Sequence, residues 1–310
     1  MRSSDAVGPR SVRSRPAIIA APGPVLALVI ALLLTLLSGC SAVRLAYNQA
    51  PELSYWWLDS YFDFSDEQTP RVRSALGQWF DWHRRTQVPD YVALLQRAQA
   101  DVLVDQSPER LCGWWGEVRG RFETAVDRGL PAAAEVMLTM SPAQIAHVER
   151  RYAKSNAEFR EDYLAVDPKQ RLEKSVQRVI ERAELLYGRL DAAQRERIAR
   201  GVSESPFDAE LWLGERERRQ QEGLQMLRRV TTGDVGRDTA EAALRASAQH
   251  LLRSPRERYR QYAQRLEQYN CGFAAAVHNS TSPAQRQAAV AKLRSWEADL
   301  RSLSASATTP

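Results

Sequence analysis

Four times along this chain a helix-capping residue is followed, three positions later, by glutamine: Ser65-Asp-Glu-Gln68, Ser141-Pro-Ala-Gln144, Asp191-Ala-Ala-Gln194 and Ser282-Pro-Ala-Gln285. The cap oxygen accepts from an early backbone N–H, and the glutamine side chain reaches back to the cap, so each tetrad fixes the first turn of a helix. Pro142 and Pro283 fall at the first helical position, where a missing N–H costs nothing. Ser107-Pro108, Asp167-Pro168 and Ser254-Pro255 announce three more starts. A chain punctuated in this way is confined to discrete, well-capped helices.

The periodicity behind these starts agrees. After Ser65 the residues Val72, Leu76, Trp79, Phe80 and His83 recur at three- and four-residue steps. Ile145, Val148, Tyr152 and Phe159 do the same after Ser141, and Val290, Leu293, Trp296 and Leu300 after Ser282. Good helix formers dominate, and no stretch alternates long enough to suggest a sheet. The expected fold is all-α, a multi-helix bundle of about ten to twelve amphipathic helices. Gly201–Pro206 and Thr231–Arg237 read as linkers, and 302–310 as a frayed, disordered tail. The order of capped helices repeats loosely, which allows two similar halves, 40–166 and 167–301; good caps recurring by themselves give the same pattern.

The N-terminus carries an address. Arg2, Arg10, Arg13 and Arg15 precede a 13-residue apolar run, Val25 to Leu37, too short to cross a bilayer comfortably but suited to a signal peptide. The run ends in Leu37-Ser38-Gly39-Cys40, which resembles the bacterial lipobox. That resemblance implies removal of residues 1–39 and attachment of diacylglycerol to Cys40, followed by acylation of the new amine. The alternative is an uncleaved transmembrane anchor. Ser41, where aspartate would favour inner-membrane retention, implies the outer membrane and a body facing the periplasm.

Without that leader the chain holds 39 basic and 37 acidic side chains, so nucleic acid is not an expected partner. Besides Cys40, two cysteines remain, Cys112 and Cys271. In an oxidising compartment they are candidates for a disulfide; two separate buried thiols are equally compatible with the sequence.

The segments Cys40-Ser-Ala-Val-Arg-Leu-Ala-Tyr-Asn-Gln-Ala-Pro51, Tyr55-Trp-Trp-Leu-Asp59 and Trp82-His-Arg84 through Tyr91 resemble an uncharacterised family of proteobacterial lipoproteins, known only as a domain of unknown function. The resemblance implies a lipid-anchored envelope protein and no activity. Leu138-Thr-Met-Ser-Pro-Ala-Gln144, Leu190-Asp-Ala-Ala-Gln194 and Thr281-Ser-Pro-Ala-Gln285 are also weakly similar to the Leu-Thr-x-x-Gln signature of periplasmic helical proteins of the Spy and CpxP type. A capping box accounts for them equally well.

Candidate site residues are few. Trp56 and Trp57 lie in an aromatic segment, Leu53 to Phe64, that belongs either at headgroup depth beside the acyl anchor or inside the bundle. Trp82, His83 and Arg84 form the most reactive-looking patch, suited to grip an anionic ligand or to act as acid or base, or else to pack around a hydrogen-bonded imidazole. Asp59, Asp63, Asp66 and Glu67 lack the spacing of a calcium loop. Glu215-Arg-Glu-Arg-Arg219 reads as a solvated helix face. No catalytic residue, metal site or cofactor is expected, and no nucleotide or hydrolase motif is present. The expected function is therefore structural or interaction, with an envelope protein as possible partner besides the membrane. A chaperone or stress sensor for unfolded clients is the alternative, and an enzyme acting on lipid or cell wall around His83 the third.

Overall fold

A computed structural model describes residues 42–165, 167–233 and 235–305; the leader, Cys40 and residues 306–310 lie outside the described residues. Eleven α-helices and no strand occur among them: α1 Ala42–Phe62, α2 Gln68–Thr86, α3 Val88–Asp101, α4 Pro108–Met137, α5 Pro142–Arg160, α6 Pro168–Tyr187, α7 Ala192–Ser203, α8 Ala209–Thr232, α9 Arg237–Leu252, α10 Glu257–Asn279 and α11 Pro283–Ala305. A π-turn, Glu161–Ala165, extends α5. The fold is an all-α multi-helix bundle.

The caps act where the sequence puts them, with one exception and one shift: the Ser65–Gln68 box closes the turn that leads into α2, whose N-cap position is Glu67. Ser107 Oγ accepts from the Arg110 N–H, and the Asp167 carboxylate from those of Lys169 and Gln170. Ser254-Pro255 does not open a helix: α10 starts at Glu257, and Arg260 Nη1 donates to the carbonyls of Ser254 and Pro255 at 3.1 and 3.0 Å, tying that segment into a loop. Two further expectations change. Residues 302–305 belong to α11 rather than to a tail, with Leu303 wholly buried in the last turn. Glu215 is not solvated; it is fully buried and accepts from Arg219 Nε at 3.0 Å, with Arg256 Nε 3.4 Å from its other oxygen.

Three apolar cores hold the bundle. The largest joins Ala134 and Met137 of α4 and Ile145 and Val148 of α5 to Leu224 and Leu227 of α8 and Ala240 of α9. A second packs Val102, next to α3, against Ala289, Val290 and Leu293 of α11. The third assembles Ile180, Ile198 and Val277 of α6, α7 and α10 with Leu190. Two of the three therefore mix residues from before and after residue 167, and from Ala42 onward the chain is one compact unit. Cys112 of α4 and Cys271 of α10 are joined in a disulfide with a Cα–Cα distance of 5.4 Å, a covalent tie across the same boundary.

Each capping glutamine does more than cap. Gln68 and Gln144 are buried and bond each other through their amides, as do buried Gln194 and half-buried Gln285. In all four, Oε1 accepts from the N–H of its own cap residue. In all four, Nε2 also donates to the carbonyl two residues ahead of the partner's cap: Thr139, Asp63, Ser280 and Arg189 respectively. The same two-fold knot is thus built twice, once in each half of the sequence.

Candidate functional site

α1 and α2 face α4 across a cleft of about 880 Å³, within the range of ligand pockets. The apolar stripe of α2 supplies one wall: Val72, Leu76, Trp79 and Phe80, spaced as an amphipathic helix requires. The opposite wall is α4, where Val118, Phe122, Ala125, Gly129, Ala132 and Val136 recur at three- and four-residue steps. Met140 on the α4–α5 turn, Leu227 of α8 and Leu244 of α9 close the base. Trp79 spans the gap: its Nε1–H donates to the Ala125 carbonyl at 2.9 Å, and its ring lies 3.9 Å from where a Cβ on Gly129 would sit.

Polar groups gather at one end. His83 Nδ1 is 2.8 Å from the Tyr47 hydroxyl and Nε2 is 3.2 Å from that of Tyr91, while the Trp79 indole stacks on the imidazole at 4.9 Å. One arrangement satisfies every group: Nδ1–H donates to Tyr47, Tyr47 donates to the Phe80 carbonyl, and Tyr91 donates to Nε2. Burial lowers the His83 pKa below the usual imidazole value, which favours this neutral form. Burial likewise pushes Tyr47 up to about 12, the nearby Arg84 offsetting part of the effect, so the phenol keeps its proton. Arg121 is paired with Asp90 beside this cluster. With both ring nitrogens engaged by phenols, His83 is the hub of a packing network.

The residues singled out by sequence do not converge on one patch. His83 and Trp57 both line the cleft, His83 at its polar end and Trp57 from α1. Trp56 points outward, with the Arg73 guanidinium 5.6 Å from its ring. Trp82 lies under Arg128, and Arg84 turns to Tyr47 and the Asn48 side chain. The aromatic segment divides: Tyr55 packs inside the bundle at 5% exposed, whereas Trp56 and Trp57 are 57% and 62% exposed. Asp59 accepts from the Phe64 N–H, as a structural carboxylate. Among the described residues no group of three or more His, Cys, Asp or Glu is placed to hold a metal. The wall contributed by α4 went unread, although Val118, Phe122, Ala125 and Gly129 already mark one apolar, small-residue face of that helix.

The profile of a family of unknown function, DUF6279, matches residues 60–268, two thirds of the chain. The chain belongs to this family. The matched region takes in α2 and α4 and so both long walls of the cleft, while Trp56 and Trp57 precede it. Neither a curated protein nor a solved structure matches the chain.

Proposed function

We propose that this protein is a lipid-anchored envelope lipoprotein whose helical body works by binding rather than by catalysis, holding an apolar ligand or partner in the cleft between α2 and α4. The observation that carries the binding reading is the cleft itself: a large space whose walls are carbon almost throughout, with His83, Tyr91 and Arg121 together at one end. Apolar surface left open at this scale is retained for something that covers it. The lipobox resemblance at Cys40 and the residue after it support placement in the outer membrane, with the body in the periplasm. The same reading puts no chemistry on His83, since its nitrogens already have partners.

Two measurements test it. Intact-mass analysis of protein from the membrane should find Cys40 as the acylated N-terminus, and globomycin should leave the leader attached; a bare thiol behind an intact leader refutes the anchor. N-phenyl-1-naphthylamine should bind the full-length protein at one saturable site and lose that site in Ala132→Trp. No saturable binding refutes the cleft as a binding site.

A second reading, a chaperone or stress sensor of the Spy and CpxP type, draws on one observation. The three glutamines whose stretches approach the Leu-Thr-x-x-Gln signature, Gln144, Gln194 and Gln285, share one tertiary arrangement with Gln68. Suppression of client aggregation at stoichiometric protein, lost in Phe122→Asp, would favour it.

A further inference from the structure

We propose that the cleft takes the acyl chains of a phospholipid, drawn from a membrane surface on which the outer face of α1 rests. This deepens the binding reading above and depends on it.

The walls decide the class of ligand. An extended peptide brings one N–H and one C=O per residue, each costing several kcal/mol if buried without a partner. Val72, Leu76, Phe80, Val118, Phe122 and Val136 offer none along the slot. A helix satisfies its own backbone but is about 10 Å wide with side chains. The walls here approach within the span of one indole, since Trp79 leaves α2 and hydrogen-bonds the α4 backbone. An acyl chain is thin and needs no hydrogen bond, and each buried methylene contributes about 0.8 kcal/mol.

The mouth decides the source. Leu53 and Trp57 on α1, and Val118 and Phe122 on α4, are each about half exposed or more, so apolar surface runs from the outside into the slot. The exposed stripe of α1 is Ala46, Gln49, Leu53, Trp56, Trp57 and Ser60, which contains no ionisable group in a chain where 26% of residues are charged. The acids of this helix are turned to other work, Glu52 binding Arg73 and Asp59 capping Phe64. An uncharged face carrying two exposed indoles suits a lipid headgroup region. α1 begins two residues after Cys40, so on the anchoring proposed above this face is the first part of the body to meet the membrane.

Charge fits the headgroup. Around the His83 end stand Arg121, Arg84 over the Tyr47 ring and Arg128 over Trp82, against Asp81 and Asp90, and of these arginines only Arg121 has a carboxylate partner among the described residues. A lipid phosphate is the complementary group.

The test uses the full-length lipidated protein in vesicles of phosphatidylethanolamine and phosphatidylglycerol containing a phosphatidylcholine with a diazirine near the end of one acyl chain. Irradiation should label α4 inside the cleft, at residues such as Ala125, Ala132 and Val136, as well as Leu53 and Trp56 on the outer face of α1. Ala132→Trp should cut the cleft label at least fivefold and leave the α1 label unchanged. Phe122→Asp, at an exposed rim position, should do the same. Label confined to α1, or cleft label indifferent to both variants, overturns the proposal. The naphthylamine probe, titrated into the same full chain held in amphipol, separates the two claims. Probe bound and displaced by Ala132→Trp without any cleft label refutes acyl chains and leaves the binding reading standing; no probe binding refutes both.

Discussion

The amide of Gln144 donates to Gln68 Oε1 at 2.7 Å, and Gln68 Nε2 returns a longer bond of 3.4 Å. Seventy-six residues separate the two, yet each completes the capping box of its own helix with the same side chain. Gln194 and Gln285 repeat the relationship at a separation of 91 residues, with bonds of 2.7 and 2.9 Å. The starts of α2 and α5, and of α7 and α11, are therefore fixed to each other as well as capped.

Removing one member leaves its cap N–H without its side-chain acceptor, takes the donor from an upstream carbonyl and costs the partner's amide one of its bonds, all in a buried site. Gln144→Ala should destabilise the protein by about 2–4 kcal/mol, and Gln68→Ala similarly. The double variant should cost clearly less than the sum, with a coupling of about 1 kcal/mol or more. Urea titration of the three variants measures it, and additive losses would mean that the amides act independently.

Gln144→Glu probes the donor side of the same contact. A carboxylate there faces the oxygens of Gln68, Phe62 and Asp63 and can donate to none. It should destabilise more than Gln144→Ala at pH 7 and recover on acidification, because the protonated acid regains one donor. Thermal melts between pH 7 and 4 show which way the stability moves.

The disulfide between Cys112 and Cys271 closes a loop of 159 residues. On the chain-entropy account its reduction should cost about 5 kcal/mol, less whatever structure the reduced unfolded chain retains. Comparing melts with and without reductant, and with Cys112→Ala plus Cys271→Ala, gives the number; equal melting temperatures would show that the bridge carries no stability.

His83 gives the bundle a pH response of definite sign. Its folded pKa lies below the unfolded value of about 6.5, so the unfolded chain binds the extra proton first. The stabilisation from the neutral, doubly bonded ring is fully present above about 6.5 and is lost as pH falls through the folded value. The rise of unfolding free energy with pH across that window should flatten in His83→Gln. An unchanged slope would place the titration elsewhere.

The helices could be read from the chain because their signals are local. Ser141 and Pro142 bind and shape their own first turn wherever the helix packs, and the linkers after Ser203 and Thr232 fall where glycine and proline suggest. Ser254 misled because Arg260, from the first turn of α10, takes the carbonyls of Ser254 and Pro255 that a helix starting there would have used for its own first backbone bonds. Glu215 misled because burial of a charge depends on Arg219 and on Arg256 from outside its helix, and only the first is a sequence neighbour at helical spacing. The cleft was half legible. The stripe of α2 announced itself, but its other wall is a run of valine, alanine and glycine on α4 whose partner no local rule identifies. Which glutamine pairs with which was hidden for the same reason: a cap states where a helix begins and nothing about its neighbour.

The most direct measurement of the central claim is methyl NMR of the full-length protein titrated with N-phenyl-1-naphthylamine. The account predicts saturable shifts on Leu76, Val118, Val136 and Met137, which line the cleft, and none on Ile198, Val277 or Leu303, which pack elsewhere. Shifts on the second group, or none on the first at saturating probe, would contradict it.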